Sequence, residues 1–365
     1  MSADGVVRPA VSAPRVIVRG ATDADRPAWD AFVASRPEGD PLQAWAWGEL
    51  TAGSGERPHR VVAVRPDGRP AGLAQALVRA TGAGRSVAYV PHGPLWEREA
   101  PDAEAILTAL LDGLRQAGRD ERAIVVKLDP RSARPGDDDA LRAALRRSGL
   151  RPARHDLQAR TTRIVDLTGG TEAMWARWES DARNGVRRAA KEGVTTLVDR
   201  AGDPAALAVL TELHAQTAQR AAFRGRPAAF LADAARSFAP SGGWYAVQAV
   251  LDGRPIAAMG LLRVGDRGFY LWGGSLRDTS LGGARGSYAA LAAAIEALAT
   301  DGCRTLDMWG VVDAADEASD PGAAGYSRFK RKFGGAPLRH PGTFDLVVAP
   351  GWYLLRDLRE RLRGG

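Results

Sequence analysis

The sequence predicts a mixed α/β protein in which one unit occurs twice, each copy carrying an antiparallel hairpin, a further strand, a crossover helix and a closing strand. Three observations predict it. The segments "VVAVRPDGRPAGLAQALVR" (61–79) and "VQAVLDGRPIAAMGLLRV" (247–264) share a strand, a D-G-R-P turn and a second strand, and Asp-Gly between apolar runs marks a hairpin. The spacing is steady: 185 residues separate Asp67 from Asp252 and 181 separate Tyr89 from Tyr270, as a duplication requires. At 365 residues the chain is also too long for one ordinary core, so two domains are expected.

Each element follows in order. "RVIVRG" (15–20) opens the first unit and the hairpin at 61–79 follows. "VAYVPHGPLW" (87–96) reads as a strand entering a Gly-containing loop, "AEAILTALLDGLRQAG" (103–118) as an amphipathic helix and "AIVVKLDP" (123–130) as a strand. The second unit opens with "RIVDL" (163–167) and repeats the pattern after its hairpin: "GFYLWGGSLR" (268–277), the helix "AALAAAIEALATDG" (289–302) and the strand "CRTLDMWGVV" (303–312). The expected division is a first domain over 15–162, a second over 163–345 and a C-terminal helix within 346–365 that can dock on either domain, the first being favoured. A hairpin feeding a strand, a crossover helix and another strand implies mixed sheets with helices packed on them.

Composition narrows the chemistry. Apolar residues at 45% and charged residues at 25% are globular values. No run of 18 apolar residues occurs and the N-terminus carries no apolar stretch, so a cytoplasmic protein is expected. Cys303 is the single cysteine and reads as a buried small side chain; the five histidines have no metal-ligand spacing, so no metal is expected. The net charge of +7 favours a polyanionic partner. In "DARNGVRRAAKEG" (181–193), Arg183, Arg187, Arg188 and Lys191 fall on one side of a helix. They read equally as a solvated face or as a phosphate-contacting stripe. "LLRDLRERLR" (354–363) is the nearest approach to a basic amphipathic helix; it reads as a solvated face, so membrane contact is expected to be peripheral at most.

The strand order is similar to the fold of the GCN5-related N-acetyltransferases (GNAT), which makes two tandem GNAT-like acyltransferase domains the expected fold. Seven segments in order then carry a more specific likeness: "LQAWAWGEL" (42–50), "YVPHGP" (89–94), "VKLDP" (126–130), "RNGVRRAAKEGV" (183–194), "YLWGGS" (270–275), "LDMWGVVD" (306–313) and "GYSRFKRKFGG" (325–335). Together they resemble the Fem family of aminoacyl-tRNA-dependent transferases, without room for the long coiled-coil insertion of some members. The resemblance implies transfer of an amino acid from its tRNA ester to an amine of a peptide-bearing acceptor, a peptidoglycan precursor by family default or a natural-product peptide, with aminoacyl-tRNA as co-substrate and no cofactor. An acyl-CoA-dependent N-acyltransferase, motivated by "LGGARGSY" (281–288), and a non-catalytic RNA-binding module stay open as rivals.

The ester is already activated, so the chemistry asks for a fixed positive charge where the tetrahedral oxyanion develops. Only four of the 50 Lys plus Arg are lysine, and two of those stand in "RFKRKFGG" (328–335). By the resemblance, Lys330 is the essential lysine and Phe329 the aromatic beside it, while Arg328, Arg331 and Lys332 add charge for the terminal phosphates, with the Arg183–Lys191 stripe as further tRNA contact. On the acceptor side the resemblance points to His92, where the family usually has Arg, to Glu97, to Arg226 and Phe230, and to Tyr270 and Trp272. Thr51 stands where a diphosphate-holding lysine is often found. Asp313 and Glu97 are the acidic residues near motifs, but the ribose hydroxyl can relay the proton, so no dedicated base is expected.

Overall fold

The computed structural model describes residues 16–221, 223–277, 285–312 and 321–363. In chain order the first half comprises β1 (Ile17–Gly20), α1 (Arg26–Ser35), α2 (Trp45–Ala52), β2 (Arg57–Val64), β3 (Pro70–Ala80), β4 (Ser86–Val90), β5 (Leu95–Trp96), α3 (Ala103–Asp120), β6 (Ala123–Leu128), α4 (Asp137–Arg147) and β7 (Arg151–Pro152). The second comprises β8 (Thr161–Asp166), α5 (Gly170–Arg177), α6 (Ser180–Lys191), β9 (Thr195–Asp199), α7 (Pro204–Arg220), α8 (Ala228–Phe238), β10 (Trp244–Leu251), β11 (Arg254–Val264), β12 (Arg267–Ser275), α9 (Gly286–Thr300), β13 (Thr305–Gly310), α10 (Pro321–Arg331) and β14 (Ala336–Arg339). β15 (Phe344–Val347) and α11 (Pro350–Arg363) close the chain.

Two mixed sheets result, running β1-β2-β3-β4-β6-β15-β7, with β5 beside β3, and β14-β8-β13-β12-β11-β10-β9. The duplication is explicit in the pairing. β2–β3 and β10–β11 are antiparallel hairpins, and β4–β6 and β12–β13 are the parallel pairs bridged by α3 and α9. Asp252 and Gly253 both take positive φ, 49° and 75°, and join Leu251 to Arg254 directly; this is the two-residue turn that Asp-Gly favours. α3 buries Ile106, Leu107, Leu110, Leu111 and Leu114 on one face, which is why its apolar residues recur at helical spacing.

Two of the expected boundaries need correction. The strand at the first boundary spans Thr161–Asp166 and lies wholly in the second sheet. At the other end the chain has already returned to the first sheet before residue 345, because β15 pairs with β6 and β7. A strand order that exchanges its last strand between halves leaves no sequence signature, since β15 reads locally like any short apolar run.

The two halves share apolar cores. Trp47, Leu50 and Leu77 of the first pack with Leu210, Phe230, Trp244 and Trp272 of the second, and Trp29, Trp45 and Leu73 pack with Val264 and Phe269. Cys303 is buried with its thiol pushed up to about 11 by burial, which fits a packing role.

Candidate active site at the junction of the two halves

β12 and β13 run parallel only from Arg267 to Phe269 and from Thr305 to Asp307. Beyond that point they part. On its other edge β13 breaks register with β8 between Asp307 and Gly310, and Trp309 sits there at φ 61°, a conformation a bulky residue adopts only when its surroundings impose it. Asp307 imposes it, accepting a hydrogen bond from the Trp309 amide at 2.7 Å and another from the Thr162 hydroxyl. The strands therefore open a wedge, and Lys330 of α10 fills its base.

Lys330 is 9% exposed. Its Nζ donates to the Gly310 carbonyl at 3.0 Å and lies 5.5 Å and 5.0 Å from the ring centres of Tyr270 and Tyr326. Burial draws the ammonium's pKa down from 10.5 to about 8, with the Asp307 carboxylate opposing. The lysine is thus still mostly charged at neutral pH. The same burial pushes the Tyr270 hydroxyl well above its ordinary range. α10 holds this placement because its neighbours point elsewhere: Phe329 packs edge-on to Tyr288 at 5.2 Å, and Phe333 beyond the helix is fully buried. Gly334 and Gly335 take φ of 79° and 77°. A Cβ on Gly335 would lie 2.3 Å from the Ile164 carbonyl, so the "GG" both ends the helix and lets it approach β8.

The first half contributes a buried charge relay to the same place. Arg131, which follows β6, is paired on one side with Asp40 at 3.2 Å and on the other with Asp307 across the junction. Asp40 also binds the His92 ring, whose backbone amide donates to Asp129 at 2.6 Å. His92 is itself at φ 52°, with its ring 5.1 Å from Trp309 and 6.2 Å from His340. Two left-handed residues, one from each half, therefore face each other over a cleft also lined by Arg131, Gln158, Thr162, Asp307 and His340. Burial and the nearby Arg131 charge hold His340 neutral, with its pKa near 2, and its Nδ1 accepts from the Ser132 amide at 3.2 Å. Burial raises Asp129 to about 6 against the donations of Tyr89 and His92.

The residues singled out from sequence divide sharply. Lys330 and Tyr270 meet in the wedge, and His92 lines the neighbouring cleft that Gly310 also borders. Glu97 is in neither: it is clamped by Arg65 at 2.5 and 3.0 Å, beside Asp102. Phe230 and Trp272 are corrected to core, because Phe230 stands edge-on between Trp47 at 6.0 Å and Trp272 at 6.2 Å, and both are buried. Arg226 lies 4.6 Å over the Phe230 ring from outside. Of the stripe on α6, Arg183 turns inward to the Trp175 and Trp178 carbonyls, whereas Arg187, Arg188 and Lys191 are exposed. Lys332 is paired with Asp181 and 3.1 Å from the Tyr288 hydroxyl; Arg328 is exposed and Arg331 half-buried. Asp313 and the first four residues of "LGGARGSY" lie outside the described residues.

Sequence reasoning missed Asp40, Arg131, Asp307, Trp309 and His340. Asp307 and Trp309 stand inside a quoted motif, but nothing local marks Arg131 among so many arginines. No group of three or more metal-ligating side chains occurs among the described residues, and none of their helices is long and apolar enough to cross a membrane.

Two tandem units, each with a parallel pair bridged by a crossover helix, and a cleft where they meet, define a tandem acyltransferase fold of the GNAT type. Comparison with known proteins agrees: residues 176–331 match the family described as "Acetyltransferase (GNAT) domain". A crystal structure of FemX superposes with a TM-score of 0.81 over 93% of this chain and 99% of that one, at 20% identity. A lysylphosphatidylglycerol synthetase domain from Agrobacterium fabrum and a tandem GNAT protein from the clavulanic acid pathway follow at 0.54 each, with 14% and 12% identity over 89% and 92% of this chain and 92% and 99% of theirs. In sequence, the lipid II:glycine glycyltransferase of Staphylococcus aureus is 30% identical over 204 residues, 54% of this chain and 47% of that protein. The match thus spans about half the length of these curated relatives. The fold is thus that of FemX, and over about half its length the sequence is similar to a lipid II:glycine glycyltransferase.

Proposed function

We propose that the protein transfers an amino acid from aminoacyl-tRNA to an amine of a peptidoglycan precursor, forming an interpeptide bridge amide in the cytoplasm. The observation that carries this reading is Lys330: an ammonium held in the wedge between β12 and β13, hydrogen-bonded to one backbone carbonyl and flanked by two tyrosine rings. The acceptor amine attacks the ester carbonyl, and the negative charge that develops on its oxygen is met by Lys330 in a dry site, where a preplaced charge is worth most. Collapse breaks the C–O bond to the ribose as the C–N bond stands, and the amine's proton leaves with the ribose oxygen. No cofactor or metal is needed. Asp307 keeps the ammonium charged, and Arg131 and Thr162 fix Asp307. The exposed cations Arg187, Arg188, Lys191 and Arg328 would meet tRNA phosphates, which makes donor binding salt-dependent.

The likeness to a lipid II glycyltransferase supports the acceptor class. One observation favours a second acceptor, a natural-product peptide. Thr51 is buried and donates to the Trp47 and Gly48 carbonyls at 3.1 and 3.2 Å, so the diphosphate-holding position of the family is turned into its own helix.

The test is single-turnover transfer from a pool of labelled aminoacyl-tRNAs, offered lipid-linked precursor, its soluble nucleotide form and small peptide amines in parallel. Label in an RNase-resistant amide supports the reading and names donor and acceptor. No transfer from tRNA, with acylation from acyl-CoA in its absence, sinks it.

A further inference from the structure

α11 is amphipathic in the reverse sense to a helix docked on a globular body. Its inward side is polar. The Tyr353 hydroxyl donates to Asp345 at 2.9 Å, Asp357 accepts from Arg154 at 2.6 Å, and the Arg85 guanidinium lies 5.1 Å over the Trp352 ring. Its outward side carries Leu354, Leu355 and Leu358, which are 63%, 40% and 54% exposed. At 3.6 residues per turn these three fall within an arc of about 100°. Eight large apolar side chains are exposed among the described residues, and three of them are on this one face. The solvated polar face expected from sequence is the face that meets the protein.

Charge says what covers the leucines. "LLRDLRERLR" holds Arg356, Arg359, Arg361 and Arg363 against Asp357 and Glu360. Asp357 is engaged by Arg154, and Arg359 is exposed close to the leucines. A second copy seated on this face would bring like charges together, whereas an anionic lipid surface offers acyl chains to the leucines and phosphates to Arg359. We infer that α11 seats the protein reversibly on an anionic phospholipid bilayer, with Leu354, Leu355 and Leu358 at the acyl boundary and Arg359 among the headgroups. This goes beyond the proposed transfer and stands independently of it, although a lipid-linked acceptor would be presented on that same surface.

The experiment is co-sedimentation of the full chain with vesicles of phosphatidylcholine alone or with one-third phosphatidylglycerol, at low and high salt, for wild type and Leu354→Ser/Leu358→Ser. Wild type should pellet with the anionic vesicles, less at high salt, and the double variant should partition about tenfold less or weaker still, because it forgoes burial of two leucines. Transfer to a water-soluble acceptor amine should be the same for both proteins, so that loss of docking and loss of the reaction are read separately. Absence of pelleting at low salt overturns the inference, as does a double variant that pellets like wild type. A wild-type dimer in analytical ultracentrifugation that the double variant abolishes, without vesicle binding, would assign the face to a second copy and likewise overturn it.

Discussion

Replacing Lys330 by Met should stabilise the protein at neutral pH while removing its activity. The ammonium's pKa falls from 10.5 to about 8 through burial, and at 1.36 kcal/mol per unit that fall corresponds to ~3 kcal/mol of unfavourable free energy for burying the charged form. Methionine fills the same space between Tyr270 and Tyr326 without a charge. Its cost is the Gly310 carbonyl left without a donor, about 1 kcal/mol, which leaves a net gain of about 2 kcal/mol at pH 7. The pH dependence carries the sign. The unfolded chain keeps this proton up to 10.5 and the folded protein sheds it near 8. Between these values the unfolded state binds more protons, so wild-type stability rises with pH relative to the variant. Urea unfolding of both proteins at pH 7 and pH 10 reads this directly: the variant leads at pH 7 and loses its lead by pH 10. A variant less stable than wild type at pH 7, or a difference independent of pH, refutes the reasoning that Lys330 is held as a buried ammonium.

Three further outcomes are expected. Arg131→Met strands the Asp40 and Asp307 carboxylates at the junction, so urea melts should show a loss of ~3–5 kcal/mol. Phe230→Tyr, which supplies the hydroxyl the sequence resemblance would expect, places that group between Trp47 and Trp272; it should cost ~1–3 kcal/mol without improving acceptor affinity, and tighter acceptor binding would return Phe230 to the site. With hydroxylamine as acceptor, already unprotonated at neutral pH, the transfer rate should fall as pH rises through about 8, where Lys330 loses its proton. A rate that climbs through the same range would make Lys330 a base.

Much of this architecture was legible because the hairpins announce themselves. Asp67-Gly68 and Asp252-Gly253 lie where two strands must turn, the helix after Tyr89 shows clear apolar spacing, and the one after Tyr270 is a long alanine-rich apolar run. The exchange of β15 between sheets was not legible, since pairing partners of a four-residue strand are fixed by the rest of the fold. At the site, Lys330 stood out through rarity, and it does sit in the wedge. Phe230 and Trp272 misled because an aromatic at a contact position and an aromatic in a core look alike in sequence. Glu97 misled because its partner Arg65 lies 32 residues away. The Asp40–Arg131–Asp307 relay spans both halves, and only the assembled junction brings those residues together.

The most direct measurement is single-turnover aminoacyl transfer by wild type, Lys330→Ala and Lys330→Arg, each with its tRNA affinity determined alongside. A point charge at the base of the β12–β13 wedge predicts a loss on the order of 10² to 10³ in rate for both variants at unchanged tRNA affinity, because a planar guanidinium cannot take the ammonium's place beneath Gly310. Transfer by Lys330→Arg at the wild-type rate would contradict it.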